Sequence, residues 1–251
     1  MQELLNLMKE LSIKHRNICF KVMNEDSFYV GIISYVIAII LIFYYLIIEF
    51  SIYSLSSPIR RILIICLIVT LMFFGSLYLK RLDNKVFKKL PMFNICIWFL
   101  LYVVMLLNLT LFDNYFGRNG GVLYAYDPYS IKHYFKYSFN IIPFKTINNY
   151  LLAFRNSNIS MSNLSYNILG NFIAFMPLAF FLPRVFKNEK WYVYFIFTSI
   201  CIFFVETMQL ITNCGSFDID DYILNILGFV IMYILLNNKW SRKGIDWVLM
   251  L

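Results

Sequence analysis

Acidic and amide side chains interrupt otherwise nearly unbroken hydrocarbon in the stretch ETMQLITNCGSFDIDDYILNILG, Glu206 to Gly228. Read as helix, turn, helix, it sets Glu206 and Gln209 one turn apart. It then puts Asp218, Asp221 and Asn225 on one helical face at i, i+3 and i+7, with Asp220 off that stripe. Carboxylates within hydrocarbon are costly; by default they mark function, pairing with each other, with a cation or with water in a cavity. If these acids converge, repulsion keeps at least one protonated, or a divalent cation, a basic side chain or the ligand itself neutralises them. Structural readings stand beside the functional ones. A protonated Glu206 can knit helices together through Gln209 or Asn171. Asp218 can be the N-cap of a helix whose dipole favours acids in its first turn, and Asn225 with Gly228 can form a helix–helix contact of small and amide residues.

The elements that must position these groups cross a membrane. The chain is 61% hydrophobic, 20% aromatic and only 14% charged, whereas soluble domains run near a quarter charged. Its apolar runs are continuous rather than alternating, which selects helices over a barrel. The expectation is an all-α, polytopic membrane helical bundle with six transmembrane helices near 28–50, 59–79, 91–112, 164–183, 191–212 and 219–237. Residues 1–27 form an amphipathic segment, either a helix on the membrane surface or a solvated tail. No short apolar core with a small-residue cleavage site marks a removable signal peptide. Residues 28–112 hold three spans, and 113–251 hold an external aromatic loop followed by three more.

A net charge of +8 would suggest nucleic acid in a soluble chain. Here the Lys and Arg sit in short blocks beside apolar runs, where they meet lipid headgroups, so the bilayer is the expected partner and nucleic acid is not. With six spans, 15 of the 22 basic residues fall on the side shared by both termini, which makes both termini cytoplasmic. The fifth span then runs outward and the sixth inward, so Glu206, Gln209, the three aspartates and Asn225 meet at one depth, facing outward. The fourth span, also running inward, brings Asn163, Asn167 and Asn171 into its outer half on one face, and Pro177 kinks it.

The external loop 113–163 carries Tyr124, Tyr126, Tyr129, Tyr134, Phe135, Tyr137 and Phe139, the composition of a segment resting at the headgroup level, and can fold over the polar cluster as a lid. Within it, Asn140 and Pro143–Phe144 read as a turn followed by a hydrophobic anchor. Glu49, at the outer end of the first span, reads as a headgroup-level residue within possible reach of the cluster. Lys145, Arg155 and Arg118 are basic groups on the outer side. The five cysteines show no metal spacing and read as packing residues; His15 and His133 stand alone. No HExxH, P-loop, Rossmann or Ser/His/Asp pattern occurs.

Taken in order, Asn140-x-x-Pro143-Phe144, Asn171-x-x-x-Phe175-x-Pro177, Glu206-x-x-Gln209 and Phe217-Asp-Ile-Asp-Asp221 with Asn225 and Gly228 resemble the VanZ-like family over about 140–237. One bacterial membrane protein of that family is associated with resistance to teicoplanin, a glycopeptide antibiotic with a lipid tail. The resemblance implies a multi-pass protein of the bacterial plasma membrane that contributes to such resistance or to cell-envelope maintenance. Two positions depart from the family pattern: Ala179 stands where Gly is common, and the turn before Phe217 has no Arg, which many members carry there.

Residues and resemblance together give Glu206, Gln209, Asp218, Asp220, Asp221, Asn225, Asn171, Asn167 and Asn140 as ligand-binding candidates, with Pro143, Phe144, Pro177 and Gly228 structural. The expected ligand is an amphiphile or a lipid-linked cell-envelope component. No cofactor is evident; a divalent cation, if bound, falls to Asp218, Asp220 and Asp221. Two other classes remain open. An intramembrane hydrolase or transferase acting on a lipid-linked phosphate or sugar would use the acids to hold a cation or as acid and base. A proton-coupled carrier would use them as a relay, without the inverted repeat typical of many carriers.

Overall fold

The structure, a computed structural model, describes residues 2–50, 57–82, 84–112, 138–187, 190–212 and 215–251, with the backbone alone for 2–24 and 163. Among the described residues, six helices are long and apolar enough to cross a membrane: Glu25–Glu49, Pro58–Lys80, Phe87–Phe112, Leu164–Phe186, Trp191–Ile211 and Ile219–Asn237. All lie within a few residues of the expected spans. The chain is an all-α, multi-pass membrane protein, and many of its large apolar side chains, such as Ile33, Ile40 and Ile47, stay on the outside, as a hydrocarbon solvent allows. It divides into two compact units, Met1–Phe50 with Ile59–Asn94, and Ser51–Pro58 with Ile95–Leu251.

In the first unit, helix α1 (Gln2–Glu49) runs without interruption, about 72 Å at 1.5 Å per residue. Residues 2–24 therefore continue the first span as one helix. Helix α2 (Pro58–Lys80) packs against it closely, because Gly31 leaves no room for a Cβ beside Leu79. The Tyr35 hydroxyl donates to Asn94 Oδ1 at 2.8 Å, and Asn94 Nδ2 donates to the Met72 carbonyl at 3.0 Å. Glu49 is buried, not exposed at headgroup level, and pairs with buried Arg61 at 3.5 Å. Two opposite charges, near the ends of consecutive spans, pair where neither could stay solvated. The described thiols also depart from the packing reading: Cys66 and Cys96 are exposed and Cys201 is half-buried.

The second unit contains most of helix α3 (Leu90–Leu107), which ends in a π-helical turn at Asn108–Phe112. Between the third and fourth spans the sequence suggests only loop. The structure builds there a two-residue strand β1 (Phe139–Asn140) and an amphipathic helix α4 (Lys145–Arg155) with Leu151, Leu152 and Phe154 exposed. The aromatic residues 124–137 and Arg118 lie outside the described residues.

The fourth span is two helices, α5 (Met161–Ala174) and α6 (Leu178–Phe186), so the kink expected at Pro177 is a break. Pro177 has no N–H to give the Ile173 carbonyl, and Met176 N–H takes that carbonyl at 3.1 Å instead. Leu178 N–H turns back to Phe175, and the Tyr102 hydroxyl donates to the Ala174 carbonyl at 2.7 Å. The Ile173, Ala174 and Phe175 carbonyls at the break thus find donors, as apolar surroundings demand.

Helix α7 (Trp191–Ile211) leads to strand β2 (Phe217–Asp218) and helix α8 (Ile219–Asn237). Gly228 brings α8 onto α5: a Cβ there would fall on the Phe172 carbonyl. A final helix α9 (Lys239–Val248), which the span pattern does not announce, is capped by Asn238 accepting from Trp240 and Ser241 N–H. Arg184 belongs to α6 and not to a loop. It is buried and bonded to Asp246 of α9 at 3.1 Å.

Gly228→Ala is expected to cost about 1–3 kcal/mol, as overpacking at a fixed backbone contact does. Gly170→Ala, whose Cβ would meet nothing within 4 Å, should be neutral or slightly stabilising. Thermal unfolding of the two purified variants in the same detergent checks this contrast; equal melting temperatures would contradict the close α5–α8 contact.

Candidate functional site

Asp218 begins α8 as its N-cap, with Oδ1 accepting Asp220 N–H at 2.9 Å, which satisfies one orphan donor of the first turn. That is the capping reading of the sequence, and it accounts for part of one carboxylate only. Asp218 Oδ1 also accepts from Asn140 Nδ2 at 3.0 Å, and Oδ2 accepts from the Thr146 hydroxyl at 2.5 Å. Asn140 meanwhile closes its own turn, its Oδ1 accepting Ile142 N–H at 3.2 Å. The turn expected at Asn140 is there, and its amide group reaches across to the acid.

Asp220, the acid off the sequence stripe, is the most deeply held. It is 0% exposed. Its Oδ1 accepts Phe144 N–H at 2.5 Å, and its Oδ2 accepts Thr146 N–H at 2.8 Å and Ile147 N–H at 3.0 Å. These donors are the first turn of α4, whose own cap residue, Phe144, has no side chain able to cap it. Asp220 therefore caps, from 74 residues away at Thr146, a helix that lacks a cap of its own, and the positive end of the α4 dipole faces its charge. Phe144 sits at φ 64°, a left-handed conformation costing about 1–2 kcal/mol for a residue with a Cβ, and so aims its N–H at Asp220. Strands β1 and β2 pair in parallel alongside, Phe139 with Phe217 and Asn140 with Asp218, and the two phenyl rings stack at 5.1 Å.

The segment 139–147 thus covers Asp218 and Asp220, as the lid reading suggests for part of the loop. All four oxygens of these two carboxylates accept hydrogen bonds from within the chain. At these two acids the donors are backbone N–H groups, the Asn140 amide and the Thr146 hydroxyl, while Lys145 and Arg155 are exposed. Among the described residues, no group of three or more His, Cys, Asp or Glu side chains is placed to hold a metal ion.

The other candidates sit deeper. Glu206 is 3% and Asn225 2% exposed. Asn225 Nδ2 donates to the Asp221 carbonyl at 2.8 Å, while its Oδ1 is buried with no hydrogen-bond donor. Gln209 is buried and donates through Nε2 to the Thr110 carbonyl at 2.9 Å, in the π-helical turn that closes the third span. Asp221 and Asn171 are half-buried and Asn167 is exposed. Pro143 and Phe144 are exposed, shaping the loop by backbone conformation.

Thr146 and Tyr150 are additional members of the site. Burial first, then the Asp221 and Asp218 carboxylates, push the Tyr150 hydroxyl up from its ordinary pKa, which favours its neutral form. The signal available for Thr146 is the missing cap: the segment KTINNYLLAFR opens with no Ser, Thr, Asp or Asn ahead of it.

Six hydrophobic spans with an acid-capped loop fastened between the third-to-fourth and fifth-to-sixth connections define a polytopic membrane protein with an inter-helix clasp. A family model described as VanZ/LLP1 matches residues 99–240. The match covers more than half of the 251 residues, so the chain belongs to the VanZ/LLP1 family. No curated protein and no solved structure matches the chain.

Asp220→Ala removes the acceptor of three backbone N–H groups and is expected to cost about 2–5 kcal/mol. Asn140→Ala and Asp218→Ala share a bond and should be non-additive by about 0.5–3 kcal/mol in a double-mutant cycle. Thermal stability together with limited proteolysis near 138–147 measures both effects. Strict additivity and unchanged proteolysis would show that the clasp carries no stability.

Proposed function

We propose that this chain is a bacterial plasma-membrane protein that contributes to resistance to teicoplanin-type glycopeptides or to maintenance of the cell envelope. In this reading an outward-facing polar pocket binds an amphiphile or a lipid-linked envelope precursor. Its ligand-facing groups are Glu206, Asp221 and Asn225, with Gln209 orienting them. Asp218, Asp220 and Asn140 hold the loop above. Membership of the VanZ/LLP1 family supports the biological setting.

The observation that carries the pocket is the placement of polar groups at one depth. Glu206 lies five residues from the outer end of α7 and Asn225 six residues into α8, about 8 Å below the end in each case. Both are buried, and the Asn225 carbonyl oxygen still accepts nothing. An amine or hydroxyl of a bound headgroup supplies the donor that this oxygen lacks, and a carboxylate at Glu206 favours a cationic or multiply donating group. The hydrocarbon tail of such a ligand stays in the bilayer, so affinity needs only a polar anchor of this size. The clasp fixes the outer ends of α4 and α8, which keeps the entrance in register.

Glu206→Gln and Asn225→Ala are the direct tests, expressed at matched membrane levels in a teicoplanin-sensitive host. Each is expected to weaken binding of a lipid-tailed glycopeptide by about tenfold, the cost of one buried, charge-assisted bond, and to lower the inhibitory concentration accordingly. Unchanged protection and unchanged binding in both variants, with intact folding by size-exclusion profile, would remove the pocket from consideration.

A further inference from the structure

Helix α9 leaves the sixth span at a sharp corner. Asn238 has extended backbone, φ −65° and ψ 156°, and its side chain ties the two helices together. Oδ1 accepts from Trp240 and Ser241 N–H, and Nδ2 donates to the Leu235 carbonyl at 2.9 Å. On the inner side, Arg184 at the end of the fourth span holds Asp246 at 3.1 Å, with its guanidinium 4.4 Å from the Phe180 ring centroid. Arg242 lies 3.9 Å from the same carboxylate. The acid of α9 is thereby engaged from within the chain.

The outward face has a different chemistry. Trp240 and Trp247, seven residues apart and so on one stripe, are 87% and 81% exposed. Between them lies Gly244, where a Cβ would meet nothing within 4 Å, leaving an open notch. Lys239 and Lys243, one turn apart and both exposed, flank the indoles. Trp191 and Tyr192 are exposed at the first residues of the fifth span, and Asn238 follows the last residue of the sixth, ends that successive crossings put on one side. Trp and Tyr concentrate at the membrane boundary because an indole is apolar in body and polar at one tip. Fully exposed indoles beside lysines do not suit water, and a purely apolar partner would leave the lysines unmatched.

We propose that the outward face of α9 is a binding site for anionic phospholipid headgroups, the two indoles resting at the boundary between headgroup and acyl chains and Lys239 and Lys243 pairing with lipid phosphate. This side carries most of the chain's positive charge, so the site faces the leaflet in which the basic connections lie. Each lysine enriches anionic lipid by on the order of fivefold at the surface.

The test uses the full chain with Trp98→Phe and Trp191→Phe, so that only Trp240 and Trp247 emit, in phosphatidylcholine nanodiscs containing a fixed fraction of brominated lipid. Brominated phosphatidylglycerol is expected to quench their fluorescence more strongly than brominated phosphatidylcholine at the same fraction. Lys239→Gln with Lys243→Gln should abolish the difference while leaving quenching by phosphatidylcholine in place. Equal quenching by the two lipids in the parent overturns the proposal, as does quenching by neither. If the Trp98 substitution disturbs folding, native mass spectrometry of the otherwise unaltered chain gives the same decision. Retained phosphatidylglycerol should be lost in the double glutamine variant, and retention unchanged by it, or never seen, overturns the site.

Discussion

A carboxylate with no exposure to solvent must be given donors by the protein or be expelled from it. At Asp220 those donors are three amides of one turn, Phe144, Thr146 and Ile147, and the same contact caps a helix that has no cap of its own. The arrangement solves two desolvation problems at once: orphan N–H groups at the start of α4 and a buried charge at the start of α8. The parallel pairing of β1 with β2 spans only two residues on each strand, too short to hold two connections by itself. Asp218, bonded to Asn140 and Thr146, supplies the side-chain half of the same junction.

A second regularity follows from the apolar solvent. At four backbone carbonyls, two of them where a helix departs from regular pairing, a side chain from another helix supplies a donor. Tyr102 serves Ala174 at the Pro177 break, Gln209 serves Thr110 in the π-helical turn, Asn237 serves Ala179, and, within the other unit, Asn94 serves Met72. In water such carbonyls would be solvated at little cost. In hydrocarbon each is worth several kcal/mol if left bare, so irregular backbone and a partnered amide or hydroxyl occur together. Gln209, singled out from sequence as a site residue, has this structural occupation.

The spans were readable from sequence because hydropathy is a property of each segment alone, and Pro177 and the Asp218 cap because their effects are local. The partners of Asp220 were not, since they are backbone groups, which carry no residue signature, in a loop more than 70 residues away. Arg184 reads as a loop cation until Asp246, 62 residues on, is brought to it. Glu49 and Arg61 were closer to being legible: opposite charges at the facing ends of consecutive spans can pair across the turn. The family match over 99–240 starts well before the 140–237 region in which the motifs are visible. It thereby takes in Tyr102 and Thr110, whose hydroxyl and carbonyl serve the fourth and fifth spans.

The clasp is chemically asymmetric, and this bears on how freely its two halves can change. Around Asp220 one half is a side chain and the other is peptide backbone. Phe144, Lys145 and Ile147 can be exchanged for other residues without deleting a donor, provided proline is kept out of positions 144, 146 and 147 and the left-handed turn survives. Asp220 has no such latitude: glutamate moves the carboxylate outward by a methylene, and asparagine replaces one acceptor with a donor facing donors. The lock is written in one letter and the key in none. Variation in the loop can therefore tune what the outer surface presents without unfastening the helices beneath it.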